Sequence, residues 1–124
     1  MPELPEVESV RCGLAHQLAG AQCNAITCRR EGLRYPFPVD MHTKLAGASV
    51  REIARRGKYL CLNFDNAYTL ILHLGMSGAI RLLPYSKHKN FTPDRHDHFL
   101  IRFDPDNLMV FNDSRRFGMV YLTP

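Results

Sequence analysis

At 124 residues the chain has room for one hydrophobic core and not two, and its 45% hydrophobic and 23% charged content is ordinary for a globular protein. Sixteen Lys and Arg against twelve Asp and Glu give a net charge of +4 and a pI near 9.0, which suits an acidic partner such as nucleic acid without requiring one. No apolar run approaches the ~20 residues needed to span a bilayer, so no membrane role is expected. No signal peptide precedes the cysteines, and the spacings of Cys12, Cys23, Cys28 and Cys61 match no zinc or thioredoxin-like pattern. They are expected to be reduced core thiols in a cytoplasmic protein.

The chain opens MPELPEVE. Pro5 suits the first helical position, and Glu6 and Glu8 place negative charge where the helix dipole favours it. Val7, Val10, Leu14 and Leu18 then recur at helical spacing and Gly20 is the expected stop. Residues 21–30 alternate loosely and predict a strand. A turn-rich loop with Gly32, Pro36 and Pro38 follows, ending at Asp40, the expected N-cap of a short helix that runs to about Ala46 and is closed by Gly47. Beyond it the period is two. Short strands are predicted over residues 50–55, 59–64, 68–74, 79–83, 99–103, 108–111 and 119–122, separated by turn chemistry such as Asp65-Asn66 and Asp104-Pro105-Asp106-Asn107. Residues 84–95 lack periodicity and predict a mobile loop. The expected fold is therefore mainly β with two flanking helices: a β-sandwich of short, mostly antiparallel strands with the N-terminal helix packed at its edge.

Chemistry is concentrated at a few places. Removal of Met1, which a small second residue permits, leaves Pro2 with a secondary amine at the N-terminus. An α-amino group titrates near ~8, so part of it is unprotonated at neutral pH, and a secondary amine that condenses with an aldehyde-level carbon gives an obligate iminium. The plainer reading is that Pro at the second position is common. Glu3 reads as either a partner of Pro2 or an ordinary helix-start acid. Lys58, behind Arg55 and Arg56 and just before a strand, suits a proton-transfer group, a phosphate clamp or a solvated strand edge. In HLGMSG, His73 to Gly78, two glycines bracket Met76 in a tight turn that either lifts it into solvent or folds it back into the core, while His73 reads as a hydrogen-bonded structural histidine. RHDHF places His96 and His98 on one strand face and Asp97 on the other. Two histidines lack further ligands for a metal, so contact of His96 with phosphate is the better reading. NDSRRFG, Asn112 to Gly118, resembles a finger loop with Arg115 for phosphate or a base edge and Phe117 as a wedge between bases. Arg116 is alternatively structural, paired with Asp113.

Taken in order, MPELPEVE, LRYP at Leu33, RRGKYL at Arg55, HLGMSG, HDH at His96 and SRRFG at Ser114 resemble the N-terminal domain of the formamidopyrimidine-DNA glycosylase family across essentially the whole chain. Leu4 favours this branch over the related endonuclease VIII branch, which typically begins MPEGPE. The resemblance implies a bifunctional glycosylase and abasic-site lyase acting on 8-oxoguanine or ring-opened purines in double-stranded DNA. By it, Pro2 attacks the sugar, Glu3 is the general acid, Lys58 contacts phosphate and assists elimination, and Glu6 supports the site. Met76, Arg115 and Phe117 fill the gap left by the flipped-out nucleotide, and His96 and Arg115 bind DNA. It also implies a monomer with no cofactor in this chain, the zinc belonging to a helix-two-turn-helix and zinc-finger domain that longer members carry and these 124 residues do not. Asp113-Ser114 stands where the family usually has Asp-Pro, and LRYP replaces the commoner LRWP. A noncatalytic DNA-binding domain is the main alternative reading; an N-terminal-proline tautomerase is another, which leaves Met76 and the Arg115-Arg116-Phe117 loop without a purpose.

Overall fold

The computed structural model describes residues 3–124. Among them are helix α1 (Leu4–Leu18), strand β1 (Gln22–Cys28), helix α2 (Met41–Leu45) and strands β2 (Val50–Arg56), β3 (Tyr59–Phe64), β4 (Thr69–His73), β5 (Gly78–Pro84), β6 (Asp97–Asp104), β7 (Asn107–Asp113) and β8 (Met119–Thr123). The strands form two antiparallel four-stranded sheets, β1-β6-β7-β5 and β2-β3-β4-β8. The expected sandwich is the one observed.

Alternation explains the packing. Leu60, Leu62 and Phe64 of β3 and Leu70 and Leu72 of β4 turn inward to meet Phe99, Ile101 and Phe103 of β6 and Phe111 of β7 in one fully buried cluster. Val7, Leu14 and Leu18 of α1 join that cluster, with Val10 and Ala15 partly buried against it. β6 departs from simple alternation because its other face is covered too. Leu100, with Leu108 and Val110 of β7, packs under Leu83, Tyr85 and Phe91. The segment expected to be a mobile loop is thus a cover for the first sheet: Tyr85–Lys87 make a 3-10 turn, and the Ser86 amide and hydroxyl both donate to Asp106, at 2.6 and 3.0 Å.

Three local expectations are corrected. Asp40 does occupy the N-cap of α2, but in the left-handed region (φ 55°) and without a side-chain capping bond. Of the cysteines, Cys23 and Cys61 are buried whereas Cys12 and Cys28 are exposed; burial and then the charge of Asp104 push the Cys23 thiol up to about 11. His96 precedes β6 instead of lying in it, and Asp97 and His98 are both buried beside a register shift between β6 and β7.

One ion-pair cluster fixes α1 against β2. Glu8 accepts from Arg11 at 2.7 Å and from Arg55 at 2.8 Å, and Arg55 also donates to the Gly57 carbonyl in the β2–β3 turn. The bonds from Arg11 and then Arg55 hold the Glu8 carboxyl at about 2, below its ordinary 4.5. A depressed carboxylate stabilises the fold at pH values above its unfolded value and loses that contribution as pH falls through the folded one. The urea midpoints of wild type and Glu8→Gln are therefore expected to differ by a constant amount from pH 7 to about 5 and to converge only toward pH 2. Convergence already complete at pH 4 contradicts the tether.

Candidate nucleic-acid interface

The Glu8–Arg55–Gly57 chain of contacts brings the start of α1 and the turn carrying Lys58 together. Glu3 is the N-cap of α1, exposed, with its carbonyl accepting from the Val7 amide at 3.1 Å. It lies about 7.5 Å along the helix axis from Glu8 at 1.5 Å per residue. Glu6 is exposed in the first turn. Lys58 is half-buried just after Gly57, whose φ of 58° makes the tight turn. Pro2 and Met1 lie outside the described residues. Arg55, one of the two arginines ahead of Lys58, is engaged by Glu8.

Antiparallel register brings a second group together. Arg56 pairs with Tyr59, Tyr59 with His73 and His73 with Met119, so these four side chains form one row across the outer face of the second sheet. The Tyr59 and His73 rings lie 4.8 Å apart. The Gly75 amide donates to His73 Nδ1 at 3.0 Å, leaving the proton of a neutral ring on Nε2. Burial, then the charges of Lys58 and Arg34, hold this imidazole below its ordinary value. His73 is hydrogen-bonded as expected, but it also faces a cavity, which its sequence setting did not reveal.

That open cavity, about 820 Å³, is lined by His73 and Tyr59 together with Met76, Arg115 and Phe117, and Arg34 and Arg116 also line it. Met76 is 48% exposed and Phe117 44%, so both long side chains stand out of the fold. Of the two readings of Met76, the exposed one holds. The Arg115 guanidinium sits 5.3 Å from the Phe117 ring centroid. His96 stands outside this cavity, half-buried, its amide donating to Asp94 and its carbonyl accepting from the Asp113 amide at 3.0 Å.

The two finger turns are built as one unit around Asp113, a residue with no exposed surface. Its carboxyl accepts from the Ser77 hydroxyl at 2.7 Å, the Arg116 amide at 3.1 Å and the Gly118 amide at 2.8 Å, while Ser77 Oγ in turn accepts from the Arg115 amide at 3.0 Å. The pairing of Arg116 with Asp113 therefore runs through the Arg116 backbone, held at φ 58°, and leaves its guanidinium at the cavity rim. Gly75 is required at the seam: at φ 63°, a Cβ there meets the Phe117 carbonyl carbon at 2.5 Å. Among the described residues no group of three or more His, Cys, Asp or Glu is placed to hold a metal ion, and these residues do not fit a zinc site.

An open cleft with arginines at its rim, rings in its wall and an apolar finger beside it is the class of surface that takes nucleic acid. The sequence model of the formamidopyrimidine-DNA glycosylase N-terminal domain matches residues 1–120, and the chain belongs to that family. It is 48% identical to the formamidopyrimidine-DNA glycosylase of Laribacter hongkongensis over 97% of this chain and 43% of the relative, and 48% identical to that of a Janthinobacterium species over 97% and 42%. Among solved structures it resembles Lactococcus lactis Fpg bound to DNA containing N7-benzyl-Fapy-dG and the same protein bound to abasic-site DNA. Each superposes with a TM-score of 0.86 at 32% identity, covering 98% of this chain and 44% of the other. The chain thus spans less than half the length of these relatives.

Proposed function

We propose that the chain is the catalytic, duplex-opening part of a base-excision DNA glycosylase and abasic-site lyase for oxidised purines, working through a Schiff base at Pro2. The observation that carries this reading is the single cleft shared by Met76, Arg115 and Phe117, with Lys58 directly preceding Tyr59 of its lining. In this reading the Pro2 nitrogen attacks the sugar C1′ of a flipped-out nucleotide and the glycosidic bond breaks; the C1′–O4′ bond then opens, Glu3 giving its proton to O4′ while the nitrogen lone pair forms the C=N bond. The resulting iminium acidifies C2′, whose proton is lost as the 3′ phosphate leaves; Lys58 holds phosphate and assists that elimination, with Glu6 supporting the site. Met76, Arg115 and Phe117 occupy the emptied stack, and His96 and Arg115 bind the DNA backbone or base edges. The partner is double-stranded DNA with a damaged purine or an abasic site, met by a monomer in the bacterial cytoplasm. Residues 1–124 then constitute the N-terminal catalytic domain. The helix-two-turn-helix and zinc-finger part of longer members supplies the other wall of the DNA cleft, so residues 1–124 without such a part turn over base excision slowly or not at all.

Borohydride trapping on abasic-site DNA tests the reading. The unmodified chain is expected to give a stable crosslink to abasic DNA and none to undamaged DNA; salt-dependent duplex binding without any crosslink selects the noncatalytic DNA-binding alternative. The finger has its own test. Stacking of an aromatic ring on a base is worth about 1–3 kcal/mol, so Phe117→Ala is expected to weaken binding to an abasic duplex roughly 5- to 150-fold, with a smaller loss on the matching single strand. Equal losses on both would remove Phe117 from the stack.

A further inference from the structure

The loop between β1 and α2 carries Arg30 and Arg34 and has no part in the chemistry proposed above. It is stapled down at several points. The Arg29 amide donates to the His98 carbonyl and its guanidinium to the carbonyls of Asp94 and Asp97, Phe37 stacks on buried Phe99 at 5.6 Å, and the Arg34 amide donates to the Gly118 carbonyl at 3.2 Å. Gly32 allows a turn so tight that a Cβ there would collide with the Tyr35 carbonyl. The guanidinium groups of Arg30 and Arg34 are thus carried by a fixed backbone, and together with Arg116 they line a cavity of about 430 Å³.

Among the described residues, the three arginines of this lining outnumber its carboxylates. Glu31 is the one carboxylate in its lining, and none of the ion pairs among the described residues involves Arg30, Arg34 or Arg116. Arg34 stands 5.7 Å from the Tyr35 ring, which leaves the guanidinium edge for an anion. The charges also order themselves in space. Arg34 and Arg116 line both this cavity and the finger cleft, and Arg30 lines this cavity alone, so the arginines continue from the finger cleft to Arg30. The Arg30 cavity shares Leu33, Arg34 and Arg116 with the finger cleft but not Tyr59 or His73.

We infer that Arg30, Arg34 and Arg116 form a phosphate-binding rim that grips the backbone of the strand opposite the damaged nucleotide. This rests on the DNA reading above. Where Lys58 holds the damaged strand and Met76, Arg115 and Phe117 fill the stack between the strands, the cations beyond the finger meet the intact strand next. Guanidinium forks on a rigid loop suit successive phosphates and read no sequence.

Salt dependence separates the strands. Duplex and single-stranded oligonucleotides carrying the same reduced abasic site are titrated at several salt concentrations with the wild-type chain, with Arg30→Gln/Arg34→Gln and with Arg30→Lys/Arg34→Lys. Log affinity falls against log salt by about 0.9 for each duplex phosphate neutralised, so the glutamine pair is expected to lower the duplex slope by about 1.8 and leave the single-strand slope in place. The lysine pair is expected to keep both. An unchanged duplex slope, or an equal fall on single strand and duplex, overturns the rim while leaving wild-type crosslinking, which reports on the catalytic reading, unaffected. A wild-type chain with no salt-dependent duplex affinity overturns both.

Discussion

Acetylating the N-terminal amine, or keeping Met1 on the chain, is expected to abolish the borohydride crosslink to abasic DNA. The argument is one of protonation and placement. At pH 7.4 an α-amino group with a pKa near 8 is about one-fifth unprotonated, against about one part in a thousand for an ordinary lysine at 10.4. The Pro2 amine is also secondary, so its adduct stays charged where a lysine imine sheds its proton. Retained Met1 replaces it with a primary amine one residue further along. Pro2→Gly keeps the position but loses the obligate iminium, and its crosslink is expected to fall strongly. The helix that follows is anchored by Val7, Leu14 and Leu18 and tethered by Glu8 to Arg11 and Arg55, a fixed support for the proposed reaction at the chain end. A crosslink of undiminished yield from acetylated chain would assign the chemistry to another amine.

Asp113→Ala is expected to have the largest effect on the folded state. The change strands the buried Gly118 amide, the Arg116 amide and the Ser77 hydroxyl at once. A buried donor without a partner costs about 1–3 kcal/mol, and the left-handed Arg116 then loses the bond that holds it there. A total of about 3 kcal/mol lowers the melting temperature by roughly 10 °C in a domain of this size. Ser77→Ala removes one acceptor for Arg115 and one donor to Asp113 and is expected to cost about a third as much. Because Asp113 and Ser77 join the two finger turns, both variants are expected to slow crosslinking to an abasic duplex more than to an abasic single strand, which has no stack to fill. A melting temperature within 2 °C of wild type for Asp113→Ala would remove Asp113 as the hub of the finger.

Much of the architecture was legible because alternation in this chain is clean. β3, with inward Leu60, Leu62 and Phe64, begins and ends where the pattern does, and α1 stops short of Gly20 as its apolar spacing requires. The pattern misled where a second layer covers a strand: β6 extends to Asp97 and Asp104 because Leu100 is buried under Tyr85 and Phe91, partners more than eight residues away that no local period announces. At the site, the glycines around Met76 announced a tight turn but left its side chain between solvent and core, and the Arg115–Phe117 segment announced a finger loop; both are exposed. What linear reading missed depends on register and on long-range bonds. Tyr59, His73 and Met119 become neighbours only when β3, β4 and β8 align, and Arg55 joins Glu8 across 47 positions of sequence. Asp113 was legible only as a partner for Arg116, and the folded chain shows three donors converging on it.

The most direct test of the central claim is to locate the sugar on the protein. After borohydride reduction of the chain on abasic-site DNA and nuclease trimming, mass spectrometry of the proteolysed adduct is expected to find the deoxyribose remnant on the N-terminal peptide, on the nitrogen of Pro2, with Met1 absent. A remnant on Lys58 or on any other lysine, or a chain that carries no sugar at all, contradicts the account.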